Sequence, residues 1–125
     1  MRYLLDTHVL LWSVSDAKQL CLSTRKIIES PDHIIFVSLV SLWELKIKES
    51  IGKVSLPKDF YTGIERAGFE LLNMNLEHIV ALGNLPVHHR DPFDRMLIAQ
   101  ALSEQMTLIS KDEDIQKYTV SLLHP

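Results

Sequence analysis

Short apolar segments that alternate with helical segments restrict the fold of this chain more than any other feature of the sequence. Five segments have the length and the β-branched or aliphatic character of buried strands: YLLDT (3–7), IIFVS (34–38), FELLNM (69–74), TLISKD (107–112) and VSLLH (120–124). Strands that alternate with helices form right-handed βαβ units and a parallel sheet covered on both faces. We therefore predict the α/β class with an open sheet, because a barrel needs roughly 250 residues.

The segments between these strands carry helical periodicity and helix-ending residues. The predicted helices cover residues 8–16, 22–30, 41–50, 57–68, 75–86 and 91–105. We expect Ser23 or Thr24 near the cap of the second helix and Gly52 at the end of the third.

The composition bounds the class of protein. With 125 residues, 46% of them hydrophobic, the chain is expected to form one domain over 1–125. A single cysteine, Cys21, excludes an internal disulfide and is compatible with a reducing cytoplasm. Asp6 and His8 interrupt the apolar N-terminus, and no segment approaches the roughly 20 apolar residues of a membrane span, so we expect a cytoplasmic protein without a membrane segment. The net charge of −3 argues against a broad basic surface.

Carboxylates from four distant segments are predicted to meet at one rim of the sheet. Asp6 ends the first strand and Asp112 the fourth, while Glu44 lies in the first turns of the helix after the second strand. Asp91 and Asp94 open the last long helix, in HHRDPFDRMLIAQA (88–101). Ligands of open α/β sheets bind outside the carboxyl ends of the strands, where these acids are expected.

Each acid also has a purely structural interpretation. Asp6 could cap the following helix, and Glu44 could form a surface ion pair with Lys48 four residues later. Asp112 could belong to an acidic first turn, and Asp91 is a favourable N-cap before a proline. Carboxylates that converge on one rim repel one another, however, and a divalent cation removes that repulsion. Oxygen ligands suit Mg²⁺ or Mn²⁺.

The histidines and methionines are predicted to be structural. We expect His88 and His89 to be solvated rather than zinc ligands, and His8 to pack or hydrogen-bond beside the first strand. The methionines expected to fill the core are Met74, Met96 and Met106.

Four motifs together give the chain a family resemblance. LLDTHVLLW, VSLVSLWELKIKESIGKVSLP, HHRDPFDRMLIAQA and TLISKDEDI resemble, in order and spacing over nearly the whole chain, the PIN-domain nucleases, specifically the VapC-like toxins of type II toxin–antitoxin systems. The resemblance implies a single PIN-like domain with strand order 3-2-1-4-5 and helices on both faces. It also implies an endoribonuclease that depends on Mg²⁺ or Mn²⁺.

The resemblance also implies roles for individual residues. It assigns catalysis and metal binding to Asp6, Glu44, Asp94 and Asp112, with the first and third holding the main metal. Alignment on LIAQA makes Asp94 the direct metal ligand. Asp91 is then a helix cap that supports Asp94, and it is also the alternative candidate for the direct ligand. Thr7 matches a small hydroxyl residue that could orient a metal-bound water, and such a water would attack the RNA phosphodiester.

Cations close in sequence to these acids are candidates for contacts with RNA phosphates. Besides Lys48, they are Arg90, Arg95, Lys46 and Lys111. Each of them could equally be a solvated surface charge.

The implied partners are RNA, a small cognate antitoxin and a second copy of the chain. A domain of this size that contains Trp12 and Trp43 is expected to expose an apolar patch suited to a homodimer. The main alternative is a PIN-fold interaction module without catalysis, whose acidic crevice binds basic side chains of a partner. Other enzyme classes fit less well: a HAD-type phosphatase needs an acid where the chain has His8, a receiver domain needs an early acidic pair, and no P-loop motif occurs.

Overall fold

The computed structural model describes residues 1–125 and contains one five-stranded sheet in which all strands are parallel. The strands are β1 (Arg2–Leu5), β2 (Ile34–Ser38), β3 (Glu70–Leu72), β4 (Thr107–Ile109) and β5 (Leu122–Leu123). Their order in the sheet is β3-β2-β1-β4-β5, which confirms the predicted α/β class and topology. β1 therefore lies at the centre, between β2 and β4.

Six α-helices connect and cover the strands. They are α1 (Thr7–Ser15), α2 (Leu22–Glu29), α3 (Leu39–Ser50), α4 (Phe60–Arg66), α5 (Leu76–Gly83) and α6 (Pro92–Glu104), with short 3₁₀ turns at Ala17–Gln19 and Ile115–Lys117. None of the helices has the length and apolar character needed to cross a bilayer.

Alternation of side chains along β1 places apolar residues in both layers of the core. Leu4 belongs to a cluster that includes Leu97 and Ile98 of α6, whereas Tyr3 and Leu5 belong to a cluster on the opposite face. That second cluster includes residues of α1 and α4. Because successive strand residues point to opposite faces, one short strand anchors helices on both sides of the sheet.

Several element boundaries differ from the sequence prediction for local reasons. α3 begins two residues earlier than predicted because the hydroxyl of Ser38 accepts a hydrogen bond from the Val40 N–H at 3.1 Å and caps the helix. The N-cap of α2 is Cys21, not Ser23 or Thr24. The predicted helix over 57–68 is also shorter, since α4 covers only Phe60–Arg66.

The core assignment of the methionines was only partly right. Met96 and Met106 are buried as predicted, but Met74 follows β3, the edge strand, and is 46% exposed. An edge strand has no neighbour on one side, so residues beyond its end can remain exposed.

A buried polar network joins α5, α6 and the end of β2. His78 is fully buried; its Nδ1 accepts a hydrogen bond from the Asn75 N–H at 3.2 Å, and its Nε2 lies 2.9 Å from Oε1 of Glu104. Gln100, also fully buried, has its Nε2 3.3 Å from His78 Nδ1 and accepts a hydrogen bond from Ser38 at 2.6 Å. Nothing in the hydrophobic periodicity indicated these partners, because the network joins elements far apart in sequence.

Candidate functional site

A polar cavity of about 520 Å³ lies at the rim formed by the carboxyl ends of β1 and β4. No hydrophobic residue lines it. The eleven lining residues are Asp6, His8, Glu44, Lys48, His89, Asp91, Asp94, Lys111, Asp112, Glu113 and Asp114. The structure thus brings together all four acids that the resemblance selected, from four separate segments of the chain.

Asp6 follows β1 directly, and the structure confirms its predicted role as a helix cap. Its Oδ1 accepts a hydrogen bond from the Val9 N–H at 2.8 Å, so it is the N-cap of α1. Its backbone N–H donates to the Ile109 carbonyl of β4 at 3.1 Å, which ties it to the neighbouring strand. Only 5% of the residue is exposed, and this burial raises the pKa of Asp6 above its ordinary value, with the nearby Asp112 carboxylate adding to the effect.

Glu44 points into the cavity from α3 and is 3% exposed. The Thr7 hydroxyl donates to its Oε1 at 2.6 Å, and Lys48 Nζ donates to its Oε2 at 2.7 Å. The predicted pairing with Lys48 does form, but the carboxylate is buried rather than solvated. Both oxygens are engaged, so the orientation of Glu44 is fixed from two sides.

Asp91 and Asp94 occupy different positions at the start of α6. Oδ1 of Asp91 accepts hydrogen bonds from the backbone N–H groups of Phe93 at 2.8 Å and Asp94 at 3.2 Å, so the predicted cap is confirmed. Asp94 carries no capping bond and faces the other acids. Burial, together with the negative charges of Asp91 and Glu44, raises the pKa of Asp94 to about 7.

His89 links two of the acids, so the prediction that it is solvated was wrong. Its Nε2 lies 3.0 Å from Oδ2 of Asp94 and 3.1 Å from Oδ2 of Asp112. Its Nδ1 accepts the backbone N–H of Asp91 at 3.1 Å, so in the neutral ring the proton is on Nε2, between the two carboxylates. Burial lowers the pKa of His89, but Asp112 and Asp94 raise it further, and the net shift is upward.

The other two histidines behave differently from His89. His88 is exposed, as predicted, although its backbone N–H donates to the Tyr118 hydroxyl. His8 was expected to pack or hydrogen-bond beside the first strand, but it is exposed at the rim of the cavity, because it lies in the first turn of α1 on the side away from the core. Proximity in sequence to the helix cap was the only signal that could have singled out His89.

Asp112 lies in the loop after β4, where backbone contacts hold it. Its N–H donates to the Ser110 hydroxyl at 3.1 Å, and its Oδ1 accepts the Asp114 N–H at 2.8 Å. The ligand atoms of His89, Asp112 and Asp114 lie within 4.8 Å of one another, a spacing that could hold a metal ion. The sequence pattern does not indicate that Asp114 or His89 belongs to such a group.

The predicted cationic residues separate into two sets. Lys111 lines the cavity and its Nζ lies 4.5 Å from the centre of the Trp12 ring; Lys48 also lines the cavity. Arg90, Arg95 and Lys46 do not line it. Arg95 donates to a backbone carbonyl, that of Leu85, and Lys46 pairs with Glu49 on the outer surface of α3.

The donor set of the cavity fits a divalent metal ion. Seven of the eleven lining residues are acids, and only two are lysines. Burial raises the pKa of Asp6 and of Asp94, neighbouring acids add to both shifts, and a positive charge in the cavity would compensate these carboxylates. A hard cation would do so, and carboxylate oxygens are the ligands that Mg²⁺ and Mn²⁺ prefer.

Comparisons with known proteins agree with the fold. The chain superposes on a chain in the crystal structure of VapBC2 from Rickettsia felis bound to a DNA fragment from their promoter, with a TM-score of 0.76, 14% identity and 98% of both chains covered. A chain of DNA-bound VapBC from Salmonella typhimurium gives a TM-score of 0.69 at 14% identity, covering 98% of this chain and 95% of that one. VapBC-5 from Mycobacterium tuberculosis gives 0.57 at 18% identity, again with 98% and 95% covered.

At these identities the structural likeness establishes the fold alone. No curated protein sequence matches the chain significantly. Residues 3–120, however, match the sequence model of the PIN domain, a region that contains all of β1 except Arg2, β2 to β4 and every acid of the cavity. The chain therefore belongs to the PIN domain family.

Proposed function

We propose that this protein is a Mg²⁺- or Mn²⁺-dependent endoribonuclease that cleaves RNA phosphodiester bonds, and that it is the toxin of a type II toxin–antitoxin pair. The observation that carries the proposal is the cavity with seven acids at the carboxyl rim of the sheet, in which Asp94 has a pKa of about 7. Membership of the PIN domain family supports the same reaction class.

Asp6 and Asp94 are the residues proposed to hold the main cation, with Glu44 and Asp112 completing the site. When bound, the cation would activate a water molecule and stabilise the charge that develops on the phosphate. Thr7 fixes the orientation of Glu44 through its 2.6 Å hydrogen bond. His89 holds Asp94 and Asp112 on either side of one N–H group, which keeps the two carboxylates at a constant separation.

The proposed partners follow from the solved relatives and from the exposed apolar surface. The superposed chains come from VapBC complexes, and by analogy we propose a small cognate antitoxin for this chain. A homodimer is supported by exposed apolar side chains on neighbouring elements: Leu39 and Trp43 of α3, Met74 after β3, and Leu76, Ile79 and Val80 of α5. We place the pair in the cytoplasm, where its RNA substrate is.

The test is cleavage of total cellular RNA by the purified protein in millimolar Mn²⁺ or Mg²⁺ and in EDTA. We expect cleavage only with metal, and a loss of several orders of magnitude in Asp6→Asn and Asp94→Asn, because each substitution removes a charge that holds the cation. Asp91→Asn should remain active, since asparagine caps a helix about as well as aspartate.

Each variant must show the circular dichroism of the wild type. An inactive Asp91→Asn beside an active Asp94→Asn would exchange the roles of the two residues. No cleavage by the metal-loaded wild type, together with binding of an arginine-rich peptide that Asp6→Asn abolishes, would instead support the non-catalytic interaction module.

A further inference from the structure

A second cavity of about 340 Å³ adjoins the acidic one across His8 and Lys48, which line both. It lies between α1 and α3. Its lining residues are Thr7, His8, Leu11, Leu45, Lys48, Lys53 and Val54.

The charge of this second cavity is opposite to that of the first. No carboxylate lines it, whereas two lysines do. Lys48 is already paired with Glu44, but Lys53 takes part in none of the ion pairs of the chain. The remaining walls are mostly apolar, from Leu11, Leu45 and Val54. An unpaired cation beside an apolar wall is complementary to a ligand that joins an anionic group to a flat, weakly polar body.

The end of α3 determines where Lys53 lies. Gly52 has φ +76°, the left-handed conformation that glycine adopts at little cost. The Gly52 N–H donates to the Glu49 carbonyl at 3.1 Å and the Lys53 N–H to the Lys48 carbonyl at 2.8 Å, which is the Schellman arrangement. The backbone therefore turns back at this point and holds Lys53 beside the last turn of α3. Within α3, Lys48 lies one helical turn (about 6 Å) beyond Glu44.

An aromatic pair borders the junction of the two cavities. The exposed His8 ring lies 6.0 Å from the Trp12 ring, centre to centre, and Lys111 lies over the same Trp12. Aromatic faces flanked by lysines are the usual means of holding single-stranded nucleic acid, with bases stacked on rings and phosphates on cations.

We propose that this second cavity binds the nucleotide next to the scissile phosphate of single-stranded RNA. Lys53 contacts its phosphate, while His8 and the apolar wall contact its base. The inference rests on the proposed function, because the scissile phosphate must lie at the acidic cavity. That cavity repels the rest of the polyanion, and Lys53 is the unpaired cation in the adjoining cavity.

The experiment measures binding of a fluorescein-labelled single-stranded oligoribonucleotide by anisotropy, in millimolar Mn²⁺ at 50 and 200 mM salt. All proteins carry Asp94→Asn, so that RNA is not consumed. Each phosphate contact of a single strand adds about 0.7 to the steepness with which the logarithm of the binding constant falls against the logarithm of the salt concentration. Lys53→Ala should therefore weaken binding about threefold at 50 mM salt, and the difference should nearly vanish at 200 mM.

Lys46→Ala is the matched control, because it removes the same charge from the outer surface of α3, and Lys46 lines neither cavity. His8→Ala should weaken binding at least fivefold through lost stacking, and His8→Phe should restore it. Equal affinities for Lys53→Ala and Lys46→Ala would overturn the proposal and leave the cavity to a protein partner. Absence of RNA binding by the Asp94→Asn protein itself would also overturn it.

This binding test does not depend on cleavage. If the wild type fails to cleave RNA, the proposed function fails by itself, whereas a cleaving enzyme whose binding ignores Lys53 refutes only the nucleotide site.

Discussion

Replacing Asp94 by asparagine should raise the melting temperature of the metal-free protein at pH 8, and much less at pH 5. Burial and two neighbouring acids raise the pKa of Asp94 from 3.8 to about 7. In the unfolded chain the same carboxyl group ionises near its ordinary value. The folded state therefore binds a proton that the unfolded state has lost, and the stability of the wild type falls as the pH rises from about 4 to about 7.

The size of the effect follows from the same shift. At about 1.4 kcal/mol for each pKa unit, a shift of this size destabilises the folded wild type by roughly 4 kcal/mol at pH 8. The Asp94 side chain is 18% exposed, and solvent screens part of the repulsion, so we expect about half of that, roughly 2 kcal/mol. For a domain of this size such a gain in stability raises the melting temperature by roughly 8 °C. At pH 5 the gain should be less than half as large.

The assay is thermal unfolding followed by circular dichroism in EDTA at pH 5 and pH 8. Asp32→Asn is the matched control, because it makes the same substitution at an exposed turn between α2 and β2. In Mn²⁺ the order of the two melting temperatures should reverse. A cation at 100 times its dissociation constant adds about 2.7 kcal/mol to the free energy of unfolding of the wild type, and much less to that of Asp94→Asn. A metal-free Asp94→Asn protein that melts no higher than the wild type at pH 8 would refute the claim that repulsion among the acids is uncompensated.

Three further changes test other parts of the structure. Thr7→Val should lower the free energy of unfolding by about 1–3 kcal/mol in urea titrations, because it leaves a buried oxygen of Glu44 without its donor; no change would mean that water replaces the hydroxyl. His78→Leu should cost about 2–3 kcal/mol, because it leaves the buried Gln100 of α6 without this partner and removes the contacts with Asn75 and Glu104; unaltered stability would count against the network. In sedimentation experiments the wild type should be a dimer and Val80→Lys a monomer, whereas a wild type that is monomeric at micromolar concentration would contradict the proposed homodimer.

The strand pattern and the four acids could be predicted because both depend on local sequence. β2 covers the predicted residues 34–38 without change, and the strand order follows the resemblance. Asp6 and Asp112 could be placed at one rim because the carboxyl ends of parallel strands share an edge. Asp91 was correctly assigned as a cap because an N-cap followed by proline is a local signal.

The parts that could not be predicted depend on contacts between distant segments. The contacts of His89 could not be predicted, and it was expected to be solvated, because its partner Asp112 is 23 positions away in sequence. His78 and Gln100 lie on helices whose apolar pattern does not reveal that two polar side chains meet between them. Arg95 was a candidate for RNA contact by proximity to Asp94, but the helix places adjacent residues on different faces, and Arg95 is directed to Leu85.

The central position of β1 determines when the acidic rim can assemble during synthesis on the ribosome. Tyr3 pairs with Ile35 on one side, but on the other side its partner is Thr107, near the opposite end of the chain. Until β4 has been translated, one edge of β1 has no partner, and Asp6 lacks the Ile109 carbonyl that ties it in place. The nascent chain therefore stays without its complete set of acids until residues 107–114 have been translated. Truncated products that end before residue 107 should consequently lack the proposed nuclease activity.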